Sequence, residues 1–462
     1  MPNFILFFTD DQGYGDLSCF GSTQVRTPHI DQLAAEGMKL TSFYVGAPVC
    51  TPSRAALMTG CYPKRVDMVR GGIMDGDKPF VVTLAGDPKG MNPSEITIAE
   101  VLKAKGYATA ILGKWHLGDQ PEFLPSRQGF DEFFGIPYSH DIHPFHPQQG
   151  TRWNFPPLPL LDGETVIEEN PDADYLTQRI TDRAVDFIER HQDQPFFLYI
   201  PHPMPHNPLH ASPEFEQAAD DSILFRLAQE KGIDYRLRNH LYPQTIGEID
   251  ASVGRVVEAL NRLNLTQKTM IVFTTDNGPG SRFATAGPLR GRKGTTFEGG
   301  QRVPAVVSWP GMIPVASVSD ELLTAMDFLP TFAALAGANV PEDRVIDGKN
   351  IWPILSGEIG ARTPHDRFFY SMAGDLRAVR SGPWKYHQRL IDRQDPDGPE
   401  TALYNLESDL AETTDLSSEY PEIVERLKTY LKAYEAELGK GDVLGEGVRP
   451  AAWVENPKAL GL

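Results

Sequence analysis

The sequence predicts an α/β protein: a large, doubly wound, mostly parallel sheet flanked by helices, with a smaller C-terminal domain of antiparallel sheet plus helix. Three observations predict it. Four apolar runs, "NFILFF", "YATAIL", "PFFLYI" and "MIVFTT", are rich in β-branched and aromatic residues and too continuous for half-exposed strands. Such runs suit parallel strands buried on both faces. Helical patterns lie between them, which implies βαβ crossovers. After about residue 365 the texture changes to short strands with tight turns. At 462 residues the chain is also too long for one core, since single cores stop growing beyond roughly 250–300 residues. The expected division is 1–364 and 365–462.

The elements follow in order. The run at 3–8 is the first strand. Thr97, with Glu100 three residues on, makes a capping box that opens the helix "IAEVLKAKG", closed by Gly106. The second strand comes next. Residues 137–165, rich in Pro, His and Gln, are expected to form a long ordered loop beside a functional site. Asp174 to His191 reads as a helix leading to the third strand. Ile246, Ile249, Val253, Val256, Val257 and Leu260 then keep one helical face apolar before the fourth. In the last hundred residues, "RFFYS", "LRAVRSGPWKYHQ" and "TALYNL" read as short antiparallel strands and "EIVERLKTYLKAYEAEL" as an amphipathic helix.

Bulk composition excludes several classes. Hydrophobic residues at 40% and charged residues at 23% are ordinary for a folded protein. A net charge of −19 argues against a nucleic acid or an anionic membrane as partner, since both need a basic footprint. Three cysteines, Cys19, Cys50 and Cys61, are too few for a disulfide framework. The opening "MPNFILFF" lacks a basic n-region and a cleavage site, so the chain as written reads as cytoplasmic; a trimmed leader would make it periplasmic or secreted. No apolar run reaches the roughly 18–20 residues needed to span a bilayer.

In an open parallel sheet, ligands sit beyond the carboxyl ends of the strands. The first strand is followed by Asp10 and Asp11, the fourth by Asp276 and Asn277, the second by Lys114 and His116, and the third by His202 and His206. Each alone reads as a turn or a solvated side chain. Together they would converge on one rim. Three carboxylates and an amide oxygen are hard ligands, which favour Ca²⁺, with Mg²⁺ as the alternative, over zinc. Around "VCTPSRAALMTG", Pro52 fits the first turn of a helix. Cys50 is thereby set just before a helix N-terminus, where anions are favoured, and Arg54 adds a planar cation one turn on. On these grounds alone Cys50 is a small buried hydrophobe or a thiolate nucleophile.

The segment "CTPSR" followed by "AALMTG" resembles the CxPxR signature of the formylglycine-dependent (type I) sulfatases of the alkaline phosphatase superfamily, in which the cysteine is oxidised after translation to formylglycine. "PNFILFFTDDQGYGD", "ILGKWHLG", "GIPYSHD", "FTTDNGP", "GRKGTTFEGG" and "LYNLESDLAETTDL" resemble the family's segments in the same order, and "GIPYSHD" is similar to the arylsulfatase A and N-acetylgalactosamine-6-sulfatase branch. The resemblance implies an alkaline-phosphatase-like fold and hydrolysis of a sulfate monoester, aryl or carbohydrate. It implies that Asp10, Asp11, Asp276, Asn277 and the modified Cys50 hold Ca²⁺. Arg54 would orient the formylglycine, and Lys114, His116, His206, Lys293, Ser139 and His140 would surround the sulfate. It also implies a formylglycine-generating enzyme as maturation partner.

In the implied mechanism hydrated formylglycine attacks sulfur, His206 or Lys293 protonates the leaving oxygen, and His116 then helps expel sulfate by C–O cleavage. Cys61 departs from the family, which usually has arginine after "TG". The segment 137–165, the insert 207–240, and Arg282, Arg290 and Arg292 are expected to shape the pocket rim. The alternatives are a phosphonate or phosphate ester hydrolase of the same superfamily, or a silent protein that binds sulfated glycans.

Overall fold

The computed structural model describes residues 1–230, 232–392 and 399–461; residue 231 of the 207–240 insert, and 393–398 and 462 of the C-terminal portion, lie outside the described residues. A ten-stranded sheet runs through the molecule. Its strands are β1 (Asn3–Thr9), β2 (Met38–Leu40), β3 (Ala108–Lys114), β4 (Glu132–Ile136), β5 (Pro159–Asp162), β6 (Thr165–Glu169), β7 (Phe196–Ile200), β8 (Thr269–Thr275), β9 (Ala305–Ser308) and β10 (Ser317–Ser319). Their spatial order is β6-β5-β4-β3-β7-β1-β8-β9-β2-β10. The centre, β4-β3-β7-β1-β8, is parallel, and β5–β6 on one side and β9 on the other join antiparallel.

The four apolar runs are the four inner strands, and every residue of β1, β3, β7 and β8 is buried. Alternate side chains go to opposite faces. Phe4, Leu6 and Phe8 join one core, whereas Ile5 and Phe7 join the other. Helices cover both faces. They include α1 (Cys50–Thr59), α2 (Ile98–Lys103), α3 (Leu176–Arg190) and α4 (Tyr242–Arg262). The capping box on α2 is made in both directions, Glu100 N–H to Thr97 Oγ1 at 3.2 Å and Thr97 N–H to Glu100 Oε2 at 2.8 Å. On α4, Ile246, Ile249, Val253, Val256 and Leu260 are fully buried, each worth roughly 1.5–3 kcal/mol relative to exposure.

One expectation fails. Residues 137–165 are not loop throughout, because Leu158, Leu160 and Leu161 are buried and the chain turns at Gly163 (φ +63°) to pair β5 with β6 at the sheet edge.

The C-terminal portion forms a second, four-stranded antiparallel sheet of β11 (Phe368–Met372), β12 (Asp375–Ser381), β13 (Trp384–His387) and β14 (Ala402–Asn405). Helix α5 (Pro421–Leu438) buries Val424, Leu427, Leu431, Tyr434 and Leu438 against it. The same cluster takes in Tyr44, Ala56, Tyr62, Leu322 and Met326 from the N-terminal portion, so the C-terminal sheet shares a continuous apolar contact with that portion. Ala452–Trp453 pair with Lys89–Gly90 in a separate two-stranded sheet and tie the end of the chain back to the N-terminal portion.

Candidate active site

The site is built at the carboxyl ends of the parallel strands. β1 ends in Thr9, and the next two residues turn sharply, with Asp11 at φ +68°. The backbone N–H of Asp11 donates to Asp276 Oδ1 at 3.1 Å, and the N–H of Asp276 donates to Thr9 O at 3.0 Å, so the neighbouring β1 and β8 ends present their carboxylates together. Gly280 is forced by this closeness: a Cβ there would lie 1.9 Å from Asp11 Oδ2.

Three cations face these three carboxylates. Arg54, with no exposed surface, donates Nε and Nη2 to Asp276 Oδ2 at 3.1 and 2.9 Å and Nη1 to Lys114 O at 2.9 Å. Its Nη2 also lies 3.6 Å from Asp10 Oδ2. Lys114, at the end of β3, donates Nζ to Asp10 Oδ2. Lys293 Nζ reaches both oxygens of Asp11, at 2.7 and 2.8 Å. Burial alone would raise the pKa of Asp10, but Lys114, His206, Arg54 and Lys293 outweigh it and hold the carboxyl well below its usual range. Asp276 is pushed up to about 6 by burial and by the Asp10 charge.

Cys50 is the first residue of α1, not the residue before it, and Pro52 stands in the first turn. The Cys50 Sγ–H donates to Asp10 Oδ1 at 3.4 Å. Burial, with Asp10 and Asp276 adding to it, raises the thiol well above its ordinary pKa. Desolvation and two nearby carboxylates thus oppose the effect of the helix terminus on the thiol. Cys19, Cys50 and Cys61 are all free thiols.

His116 (φ +66°) donates Nε2–H to Thr83 O at 2.9 Å and leaves Nδ1 buried without a partner. Burial, with Lys114 and Arg54 nearby, lowers its pKa well below the usual value, so the ring is neutral. His206 donates Nδ1–H to Asn207 O at 2.7 Å, with Ser139 Oγ 3.5 Å from the same nitrogen and Nε2 3.7 Å from Asp11 Oδ2. His140 stands behind His206, ring centroids 5.7 Å apart, and donates Nε2–H to Pro208 O. It lines a neighbouring cavity instead of the one that opens on Cys50.

Donor atoms of Asp10, Asp11, Cys50 and His206 lie within 4.8 Å of one another, a set that could hold a metal ion. Asn277 donates Nδ2–H to Asp11 Oδ1 at 2.8 Å while its Oδ1 is buried with no partner, an orphaned acceptor of the kind a hard cation satisfies. The residues therefore fit a divalent ion held by oxygen ligands. Asp276, expected in the set, is not among those four; its Oδ2 accepts from Arg54 and its Oδ1 from the Asp11 N–H.

The cavity beside Cys50 is about 180 Å³ and includes His116, Ser139, His206 and Lys293. The segment 137–165, expected at the rim, supplies Ser139, Asp141, Ile142, His146, Trp153 and Phe155 to its lining, whereas Phe80 and Val82 went unread because they sit in an irregular segment that carries no periodic signal. Two expected rim features lie elsewhere. Arg290 and Arg292 line a separate cleft, Arg290 held by Asp392 and Glu412 O, and Arg292 by the carbonyls of Pro279 and Ser281. Arg282 lines neither cavity. From the 207–240 insert, His210, Gly232, Ile233 and Arg238 line the cavity that His140 faces.

Comparison with known proteins agrees with this geometry. The sulfatase family profile matches residues 2–338, and that of the N-sulphoglucosamine sulphohydrolase C-terminal region matches 292–437. The chain is 40% identical to arylsulfatase A of Homo sapiens over 408 residues, covering 84% of this chain and 74% of that one. It is 38% identical to N-acetylgalactosamine-6-sulfatase of Sus scrofa, covering 84% and 71%. The crystal structure of Ps i-CgsB in complex with k-i-k-neocarrahexaose superposes with a TM-score of 0.76 at 32% identity, covering 94% of this chain and 92% of that one. PsFucS1 sulfatase from Pseudoalteromonas sp. gives 0.78 at 27%, covering 96% and 92%. The chain belongs to the sulfatase family and is an enzyme that hydrolyses sulfate esters.

Proposed function

We propose that this sulfatase acts on sulfate monoesters through a formylglycine made from Cys50 by a formylglycine-generating enzyme, with Ca²⁺, or Mg²⁺ in its place, held by Asp10, Asp11, Asn277 and Asp276. The observation that carries the reading is Cys50 itself. Its buried Sγ lies beside Asp10 and stands at the meeting point of three carboxylates and three cations.

The aldehyde, once hydrated, supplies an oxygen nucleophile and a second hydroxyl that a serine lacks. The divalent ion supplies a lowered pKa for the attacking hydroxyl and positive charge for the sulfate oxygens. The chain's own groups do the rest. Arg54 and Lys114 hold Asp10 and Asp276 ionised and in place. Lys293 and His206 reach Asp11 from the open side and are placed to bind sulfate oxygens and to give a proton to the leaving alcohol. His116, with Nε2–H committed to Thr83 O, keeps an unshared pair on Nδ1 that can accept a proton. Ser139 contacts the sulfate from beside His206.

The test is the mass of the Cys50 peptide from protein made with the maturation enzyme, which is expected to show thiol replaced by aldehyde. Cys50→Ser is expected to react once and stall. Undiminished turnover by Cys50→Ser, or faster turnover of an aryl phosphonate than of an aryl sulfate by matured protein, would sink the proposal.

A further inference from the structure

The cavity that opens on Cys50 has two unlike halves. One is the polar set of His116, Ser139, Asp141, His206 and Lys293. The other is carbon: Phe80, Val82 and Leu84 arrive from one segment, and Ile142, Trp153 and Phe155 from another. Their aromatic members form a braced wall. Phe80 meets Trp153 edge-on with centroids 5.3 Å apart, and Trp153 stacks on Phe155 at 5.4 Å and 14°. The Arg152 guanidinium lies 5.0 Å over the Trp153 ring and 6.0 Å over Phe80, and an ion pair to Asp75 holds it there.

Two consequences bear on the alcohol half of the substrate. Phe155 and the Arg152 guanidinium both engage the Trp153 ring, which leaves less of its π surface open as a platform for the C–H face of a sugar. In this half the Trp153 indole and the His146 imidazole, which meets Phe155 edge-on at 5.5 Å, are the side-chain hydrogen-bonding groups, so most hydroxyls of a sugar entering it would lose water without replacement. The volume, about 180 Å³, suits one ring inside the cavity; for comparison, an apolar cavity of about 150 Å³ engineered in another protein takes up benzene.

We propose that this wall is the leaving-group subsite and that the substrates are sulfate monoesters of phenols or of apolar ring alcohols, with Phe80 and Trp153 setting specificity. The inference rests on the sulfate-ester reading of the polar half and goes beyond it by choosing the alcohol.

The experiment uses matured full-length protein and turnover of 4-nitrophenyl sulfate as readout. Cyclohexylmethyl sulfate and methyl glucopyranoside 6-sulfate, both primary alkyl esters, compete with that substrate, so their inhibition constants compare the two rings free of leaving-group reactivity. The apolar ester is expected to compete at least about 10-fold more tightly, in the range by which shaped pockets discriminate. Trp153→Ala and Phe80→Ala are each expected to remove most of that preference and to raise KM for 4-nitrophenyl sulfate more than they lower kcat, and Phe80→Leu is expected to keep it. Equal or tighter competition by the sugar ester, or a preference unmoved in both alanine variants, overturns the inference and leaves the sulfatase reading standing. No turnover of 4-nitrophenyl sulfate, with the aldehyde confirmed at position 50, overturns both.

Discussion

Arg54 is one turn into α1 and wholly buried, and its guanidinium holds Asp276 with two N–H groups while the third faces a carbonyl. Removing it leaves a buried carboxylate without its partner, which costs about 3–5 kcal/mol. Arg54→Ala is therefore expected to lower the urea midpoint by that equivalent, and Arg54→Lys to recover only part, because a lysine cannot reproduce the fork. Gly280 makes a different point at the same scale. Asp11 is pinned by Lys293 and by Asn277, so it has nowhere to go when a methyl group appears 1.9 Å from its Oδ2. Gly280→Ala is expected to weaken divalent-cation binding about 10- to 100-fold, measured by calorimetric titration, which is the usual scale for disturbing a metal site's supports. The identities and spacing of Asp10, Asp11, Lys114, His116, Asp276 and Asn277 were legible because each follows an apolar run directly. The orientation of His140 was not, since nothing in "YSHD" says which of two adjacent polar side chains faces the cavity.

Among elements, α4 carries a titration that the sequence conceals. Glu248 lies on the buried face of this helix, where one oxygen accepts the Ser212 N–H at 2.9 Å and the other has no partner. Burial raises its pKa to about 7 from 4.5. The folded state thus keeps a proton that the unfolded state releases, so this contribution is fully present below about pH 4.5 and is lost as pH rises through about 7. The loss is of order 3 kcal/mol at 1.36 kcal/mol per unit. Glu248→Gln, which mimics the protonated acid, is expected to flatten that part of the stability curve when denaturant midpoints are compared between pH 5 and 8. The inner strands were readable from their continuous apolar runs and the long helices from their periodicity. Strands β2, β9 and β10 were not, because three or four residues are too few to display an alternation, and their pairing is imposed by neighbours distant in sequence.

At the scale of the whole molecule, a buried charge cluster joins the C-terminal sheet to the N-terminal portion. Lys385 on β13 lies 2.9 Å from Glu298 Oε1 and 2.9 Å from Glu412 Oε1, and all three side chains are fully buried. Burial would raise the Glu298 pKa, yet Lys385, Arg302 and Arg380 outweigh it and hold the carboxyl down. Glu298 follows closely on the loop that carries Lys293, so the cluster ties the C-terminal sheet to the rim of the site. Lys385→Met would leave two buried carboxylates without their shared partner. It is expected to destabilise the protein by about 3–5 kcal/mol in urea unfolding and to open the C-terminal sheet to limited proteolysis, with Lys385→Arg retaining more of the stability. The sequence by itself determined the parallel core, its helices and the polar residues at the strand ends, because those depend on local patterns and on a general property of parallel sheets. Only the tertiary structure decided which of those residues meet, why the Cys50 thiol is neutral, and that Phe80 and Trp153 share a wall. Such facts depend on the distance between segments remote in the chain, and burial and charge act through that distance.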